Sequence, residues 1–274
     1  MMAMNDMQLL PNARASIEER VASGRIPWAG PLLLVVARSV LWLGFQSLLA
    51  LILLALHRPA PFHTAGNWWM LYGTLSDLCC LLGMRYFTRR EGIRLRDLIG
   101  PIRLRWGRDM WLGLGILLLS YPLLIAGGQL AARLVYGSMA KVPMDFILQR
   151  HALPLWATVY TLTVWWIIQS ATEEMTYMGY VLPRLQVLSG RTWIAVTIVT
   201  FWWAAQHCMI PCVADWHYLA YRFLMFFPLL PLWIPVYLRT RRLSPLILAH
   251  WPMDISVAIM TGTNIGAIMM TGIH

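Results

Sequence analysis

The sequence predicts an all-α protein, a polytopic membrane bundle of about seven transmembrane helices. Three observations point there. Of 274 residues, 59% are hydrophobic and only 12% are charged, against roughly 25% charged in an ordinary soluble domain. Mean hydropathy is +0.59. The apolar residues gather in runs of membrane length, since about 20 of them cross the hydrocarbon core, and 15 Trp with 10 Tyr suit the two interfaces. A soluble enzyme with a single anchor is excluded on these grounds.

Residues 1–30 are mixed and polar and hold no apolar signal core. The first apolar run, Pro31 to Leu56, is too long for a secretory signal and stays as a helix. Further spans are expected near 67–87, 110–136, 152–183, 192–210, 217–238 and 244–262, all within one transmembrane domain over 31–274. Pro59–Pro61, Gly100–Pro101 and Ser244–Pro245 punctuate helix ends. The tail 263–274 is uncharged and carries Gly266 and Gly272 just beyond Gly262. It extends the last helix, re-enters, or lies at the interface.

Basic residues sort between alternate loops. Arg14, Arg20 and Arg25 precede the first span. Arg89, Arg90, Arg94, Arg96, Arg103, Arg105 and Arg108 fill 88–109. Arg184 and Arg191 flank the fourth span, and Arg239, Arg241 and Arg242 follow the sixth; the other loops offer Arg58, Lys141 and Arg150. The positive-inside rule then puts the N-terminus in the cytoplasm. The net charge of +10 is this topology signal. Because the charges bracket apolar spans, anionic lipid headgroups are the expected partner and nucleic acid is not. Ile93, Leu95, Leu98, Ile99, Ile102 and Leu104 alternate with arginines, so 88–109 reads as an amphipathic segment on the headgroups or as a solvated loop.

Ionisable groups inside the spans carry the functional signal. Glu173 and Glu174 are adjacent in an apolar run, where each carboxylate costs roughly 2.5–3.5 kcal/mol on insertion scales. They stand about 100° apart on a helix, so one faces a cavity while the other turns to a neighbour. His207 sits in a second span, one turn after Trp203. His250 and Asp254 share a face of a third, around Pro252, which removes a backbone hydrogen bond and bends the helix. Three helices thus bring these five groups toward one polar cavity. Elsewhere Arg38, Arg133 and Arg222 lie near enough to span ends to snorkel. Asp77 is central in its span and needs a hydrogen-bond partner. Cys79 and Cys80 pack. His207, Cys208, Cys212, Asp215 and His217 form a second possible metal cluster, with small packed residues or a disulfide as the plainer reading.

The order Glu173-Glu174 with Gly179 beyond, then Trp203-xxx-His207, then His250-xxx-Asp254 resembles the CPBP intramembrane proteases. These are the CAAX-prenyl endopeptidases of the Rce1 type and the bacteriocin-processing or Abi proteins. The resemblance covers about 165–260, with a CPBP-like core at about 152–262. The family's Glu-Glu-xxx-Arg has Met178 at the Arg position, and its Phe-xxx-His has Trp203 at the Phe position. Arg184 replaces the missing cation only if the helix unwinds near Pro183.

The resemblance implies an intramembrane endopeptidase in the inner (cytoplasmic) membrane of a bacterium. Its substrate would be a membrane-embedded or lipidated peptide. In it Glu173 is the general base for a water, His207 holds that water, Glu174 orients the site, and His250 with Asp254 supports the oxyanion. Zinc on Glu173, His207 and His250 is a weaker alternative: the residue types suit it, but no tight ligand spacing is present. Two other classes fit the same residues. One is an inactive relative acting as scaffold, immunity factor or subunit of a larger membrane complex, favoured by Met178. The other is a proton-coupled transporter, which predicts internal repeats that this chain does not show.

Overall fold

The computed structural model describes residues 10–101, 106–143 and 153–262. Within them the chain is helical apart from turns and one isolated bridge, Met209–Cys212. A short helix α1, Arg14–Ala22, precedes the long α2, Ala29–Ala55. Then come α3, Pro61–Gly66, and α4, Trp69–Arg90, a 3-10 turn at Leu95–Leu98, and α5, Trp106–Tyr136. Helices α2, α5 and the stretch Trp216–Thr240 are long and apolar enough to cross a membrane by length and composition. The other expected spans are helical too, but they do not establish a count of seven. The fifth, for instance, holds only 16 helical residues. The tail 263–274 lies outside the described residues.

Helices α2 and α4 pair along a heptad-like stripe. Leu34, Val35, Arg38, Trp42 and Gln46 are buried on α2, and Tyr72, Gly73, Ser76, Asp77 and Cys80 on α4. Gly73 makes the close approach possible, because a Cβ there would meet the Trp42 ring at 2.0 Å. The outer faces keep Leu33, Val40, Leu51 and Leu82 exposed, as lipid contact requires.

The stretch with the two glutamates is one interrupted helix. It runs through α6, Leu155–Tyr160, a π turn at Thr161–Trp165, α7, Trp166–Glu174, a second π turn at Met175–Val181, and α8, Leu182–Leu188. Such π turns are uncommon and often lie at functional sites. Pro183 has no N–H, so it frees the carbonyl of Gly179 four residues back. That carbonyl is taken by Asn12 Nδ2 at 2.8 Å, which ties the N-terminal segment to the second π turn.

Helix α9, Thr192–His207, ends on His207. Helix α10, Trp216–Phe226, starts at Asp215, whose side chain accepts from the His217 N–H at 2.8 Å. Its backbone bond to His217 holds the Asp215 carboxyl below the usual carboxylate range. A 3-10 turn, Phe227–Leu229, carries Pro228 and joins α10 to α11, Leu230–Thr240, which keeps Pro231 in its first turn and Pro235 inside it. Helix α12, Ser244–Gly262, packs along α5. There Gly113 lets the two backbones meet, since a Cβ would come within 3.0 Å of the Pro245 carbonyl.

The 88–109 segment differs from both expectations set for it. Leu98 is fully buried, and Ile93, Leu95 and Ile99 pack against the same core. The Leu243 N–H donates to the Ile99 carbonyl at 3.0 Å. Asp109 is buried and bound by Arg242 and Ser244. The apolar residues of this loop therefore close the bundle's end; Ile102 and Leu104 lie outside the described residues.

Candidate active site

Helix α7 presents both glutamates to the interior, and each is 1% exposed. Glu174 Oε1 lies 3.1 Å from His250 Nδ1 on α12. One turn on, Asp254 Oδ1 lies 3.7 Å from His250 Nε2, and its other oxygen accepts from Ser170 Oγ at 2.6 Å. The i,i+4 spacing of His250 and Asp254 and the i,i+4 spacing of Ser170 and Glu174 thus make one interlocked face between α7 and α12. Glu173 turns the other way, toward α2. Its Oε2 accepts from Arg38 Nη2 at 3.4 Å and from Gln169 Nε2 at 3.2 Å.

His207 is buried but makes no direct hydrogen bond to the other four residues. Its Nδ1 lies 2.8 Å from the Trp203 carbonyl, and its ring stacks on Phe226 at 3.8 Å. A carbonyl accepts only, so Nδ1 carries the proton and Nε2 is the nitrogen left for other chemistry. Arg222 fixes this helix end. It donates to the carbonyls of His207 at 3.1 Å and Ile210 at 2.8 Å, which the end of α9 leaves unpaired.

The arginines differ from the snorkelling expected of them. Arg222 is buried at the end of α9. Arg38 is fully buried and ion-paired to Asp77, with Nε on Gln206 Oε1 at 2.6 Å and Nη2 on Gln169 Oε1 at 3.0 Å. Position counting put Arg38 near a helix end; the α2–α4 stripe turns it inward instead. Of these three, Arg133 alone is exposed. Arg184 does not serve the glutamates either. It grips Glu91 with two bonds, at 2.7 and 2.5 Å, and lies over the Tyr180 ring at 4.0 Å. Met178 is buried in the apolar core.

Metal-ligand geometry is also redistributed. Ligand atoms of Glu173, Glu174 and His250 lie within 4.8 Å of one another, so His207 is not part of the expected zinc set. Both nitrogens of His250 face carboxylate oxygens, the pose of a ring that donates, and Arg38 already neutralises Glu173. These residues fit an ion-paired site better than a metal centre. The second cluster does not form. Cys208 and Cys212 are free thiols, Cys208 Sγ points at the Leu219 carbonyl at 3.2 Å, and Asp215 caps α10. A cavity of about 410 Å³ between Ala60–Gly66 and Pro211–Ala214 is lined by none of the five site residues.

Gln169, Ser170, Gln206 and Arg38 are the members that sequence reasoning missed. The first two had a signal, being polar residues one turn before Glu173 and Glu174. Gln206 stood beside His207.

The family comparison bears on the same stretch. Residues 154–256 match the model of the Rce1-like family, type II CAAX prenyl endopeptidases. No curated protein and no solved structure matches the chain. The matched segment holds Glu173, Glu174, His207, His250 and Asp254, and leaves Arg38, Asp77 and Glu91 outside it. Over residues 154–256 the chain is thus similar to the Rce1-like family, and that similarity supports a function of the CAAX-type intramembrane protease kind.

Proposed function

We propose that the chain is an intramembrane endopeptidase that uses Glu173 to activate a water. One observation carries the reading. Glu173 Oε1 and Glu174 Oε2 are buried carboxylate oxygens without a protein partner, beside a histidine held between two carboxylates. An oxygen so placed costs free energy unless it has work to do.

Glu173 would take a proton from water as the water oxygen adds to the scissile carbonyl carbon. His207 Nε2 would hold that water. His250 would donate from Nε2 to the developing oxyanion, since its 3.7 Å contact to Asp254 is longer than a hydrogen bond. Glu174 and Asp254 fix its ring. The proton on Glu173 then passes to the amide nitrogen as the C–N bond breaks, leaving a carboxyl and an amine. A membrane-embedded or lipidated peptide suits a site buried among helices whose outer faces are apolar, and anionic lipids suit the exposed arginines of the loops. The arginine bias supports a cytoplasmic N-terminus, and the bacterial inner membrane is the setting that the family resemblance implies. A cysteine placed at position 97 should then label from the cytoplasmic side; labelling only from outside reverses this orientation.

The scaffold or complex-subunit reading drew on Met178. Arg38 at 3.4 Å from Glu173 supplies a cation and weakens that ground. Glu173→Gln decides between the two. It keeps shape but cannot accept the proton, so cleavage of a transmembrane peptide in liposomes should fall about 100–10,000-fold. Thermal unfolding in detergent should hold. Unchanged cleavage removes the peptidase reading.

A further inference from the structure

We propose that Arg38 is a positioning residue for Glu173, standing in from a different helix for the arginine absent at Met178. This rests on the peptidase reading above. The residue lies outside the matched family segment, on α2, and it joins three other helices at once.

Each nitrogen of the guanidinium has its own task. Nε donates to Gln206 on α9, Nη1 to Asp77 on α4, and Nη2 to Gln169 and Glu173 on α7. A guanidinium has no acceptor, so both glutamines must turn their carbonyl oxygens toward it. Their amide NH2 groups then point away from Arg38. That of Gln169 reaches Glu173 Oε2 at 3.2 Å, while that of Gln206 is buried facing the same carboxylate without closing a well-formed hydrogen bond. Two donors therefore hold Glu173 Oε2, and Oε1 is left as the basic oxygen. Arg38 decides which oxygen that is. An ammonium could neutralise Asp77 but has no planar fork to orient both amides.

The competing explanation is that Arg38 exists only to neutralise Asp77, since both are fully buried. The double variant Arg38→Met/Asp77→Leu separates the two. Replacing a buried ion pair by apolar groups of similar size is often neutral or stabilising, so this variant should fold. If Arg38 only serves Asp77, cleavage returns to the wild-type rate. On the proposal, kcat falls about 100-fold with KM held, the size expected for a misplaced reacting group.

A folded double variant with wild-type kcat overturns the role of Arg38 and leaves Glu173 in place. Full cleavage by Glu173→Gln overturns the peptidase reading and this role with it. Should the double variant not fold, Arg38→Lys gives the same readout, keeping the charge and losing the fork. A drop in kcat with KM held supports the proposal, and full kcat overturns it.

Discussion

Two buried charge clusters sit on the same interrupted helix, one on each side of the second π turn. Beyond it, Arg184 uses both oxygens of Glu91, and Asn12 bridges Arg184 Nη1 at 3.0 Å, the Gly179 carbonyl and the Tyr237 hydroxyl. Before it, Glu173, Glu174, Asp77 and Gln206 each keep a buried polar atom with no protein partner. The first cluster uses its hydrogen bonds to hold the N-terminal segment, the 88–109 loop and α8 together, and its one unpartnered atom, Arg20 Nε, still lies 3.9 Å from Glu91. The second is left incomplete in the middle of the bundle. The difference separates a cluster whose charged groups are closed on one another from one whose buried carboxylates keep unused hydrogen-bonding capacity.

That comparison breaks most sharply at the Arg184 end. Arg184→Met removes both hydrogen bonds to Glu91 and leaves it only the longer Arg20 Nε contact at 3.9 Å, which should cost up to about 3–5 kcal/mol of stability. Thermal unfolding in detergent measures it. Cleavage per folded molecule should change little, the reverse of the pattern for Glu173→Gln. A variant that unfolds normally yet fails to cleave would put Arg184 in the site and dissolve the distinction.

The sequence made the second cluster legible before the first. Glu173, Glu174, His250 and Asp254 are costly at bilayer depth, and their spacing alone puts His250 and Asp254 on one face. Arg38 was not legible in this way. Its distance along the helix suits snorkelling as well as burial, and only the packing of α2 on α4, through Gly73 against Trp42, turns it toward Asp77. Glu91 lies in a loop that reads as a polar, topogenic segment. Its burial depends on Arg184, 93 residues away, which no local pattern couples to it. The helical segments were readable from apolar runs; the π turns on either side of α7 were not, since they follow from tertiary packing rather than from hydropathy.

A middle-sized effect is expected where the two clusters meet. Gly179 has no room for a side chain: a Cβ would lie 2.8 Å from Leu243 Cδ1 and 3.4 Å from the Leu98 carbonyl. Gly179→Ala should cost about 1–3 kcal/mol by overpacking. Because the same turn carries Glu174 at its start, cleavage should fall as well. If stability drops while kcat is untouched, the π turn does not transmit position to the glutamates, and the two clusters are more independent than their shared helix suggests.

The smallest effect lies at Asp215, where a carboxylate is exposed rather than buried and caps α10 while also lying 3.3 Å from His217 Nδ1. The His217 N–H holds its carboxyl below the usual range. A depressed folded value means the cap stabilises fully above the unfolded pKa, about 3.9 for Asp. The contribution fades as pH falls through the folded value. Asp215→Ala should therefore lower the midpoint slightly near neutral pH and converge on the wild type in acid. Asp215→Asn keeps an acceptor that does not titrate, so its midpoint should track the wild type at neutral pH and exceed it slightly in acid. Thermal scans of the three proteins across that range test the cap. Equal loss by Asp215→Ala at every pH would show that the carboxylate acts through packing, as a neutral group would, and not through its charge.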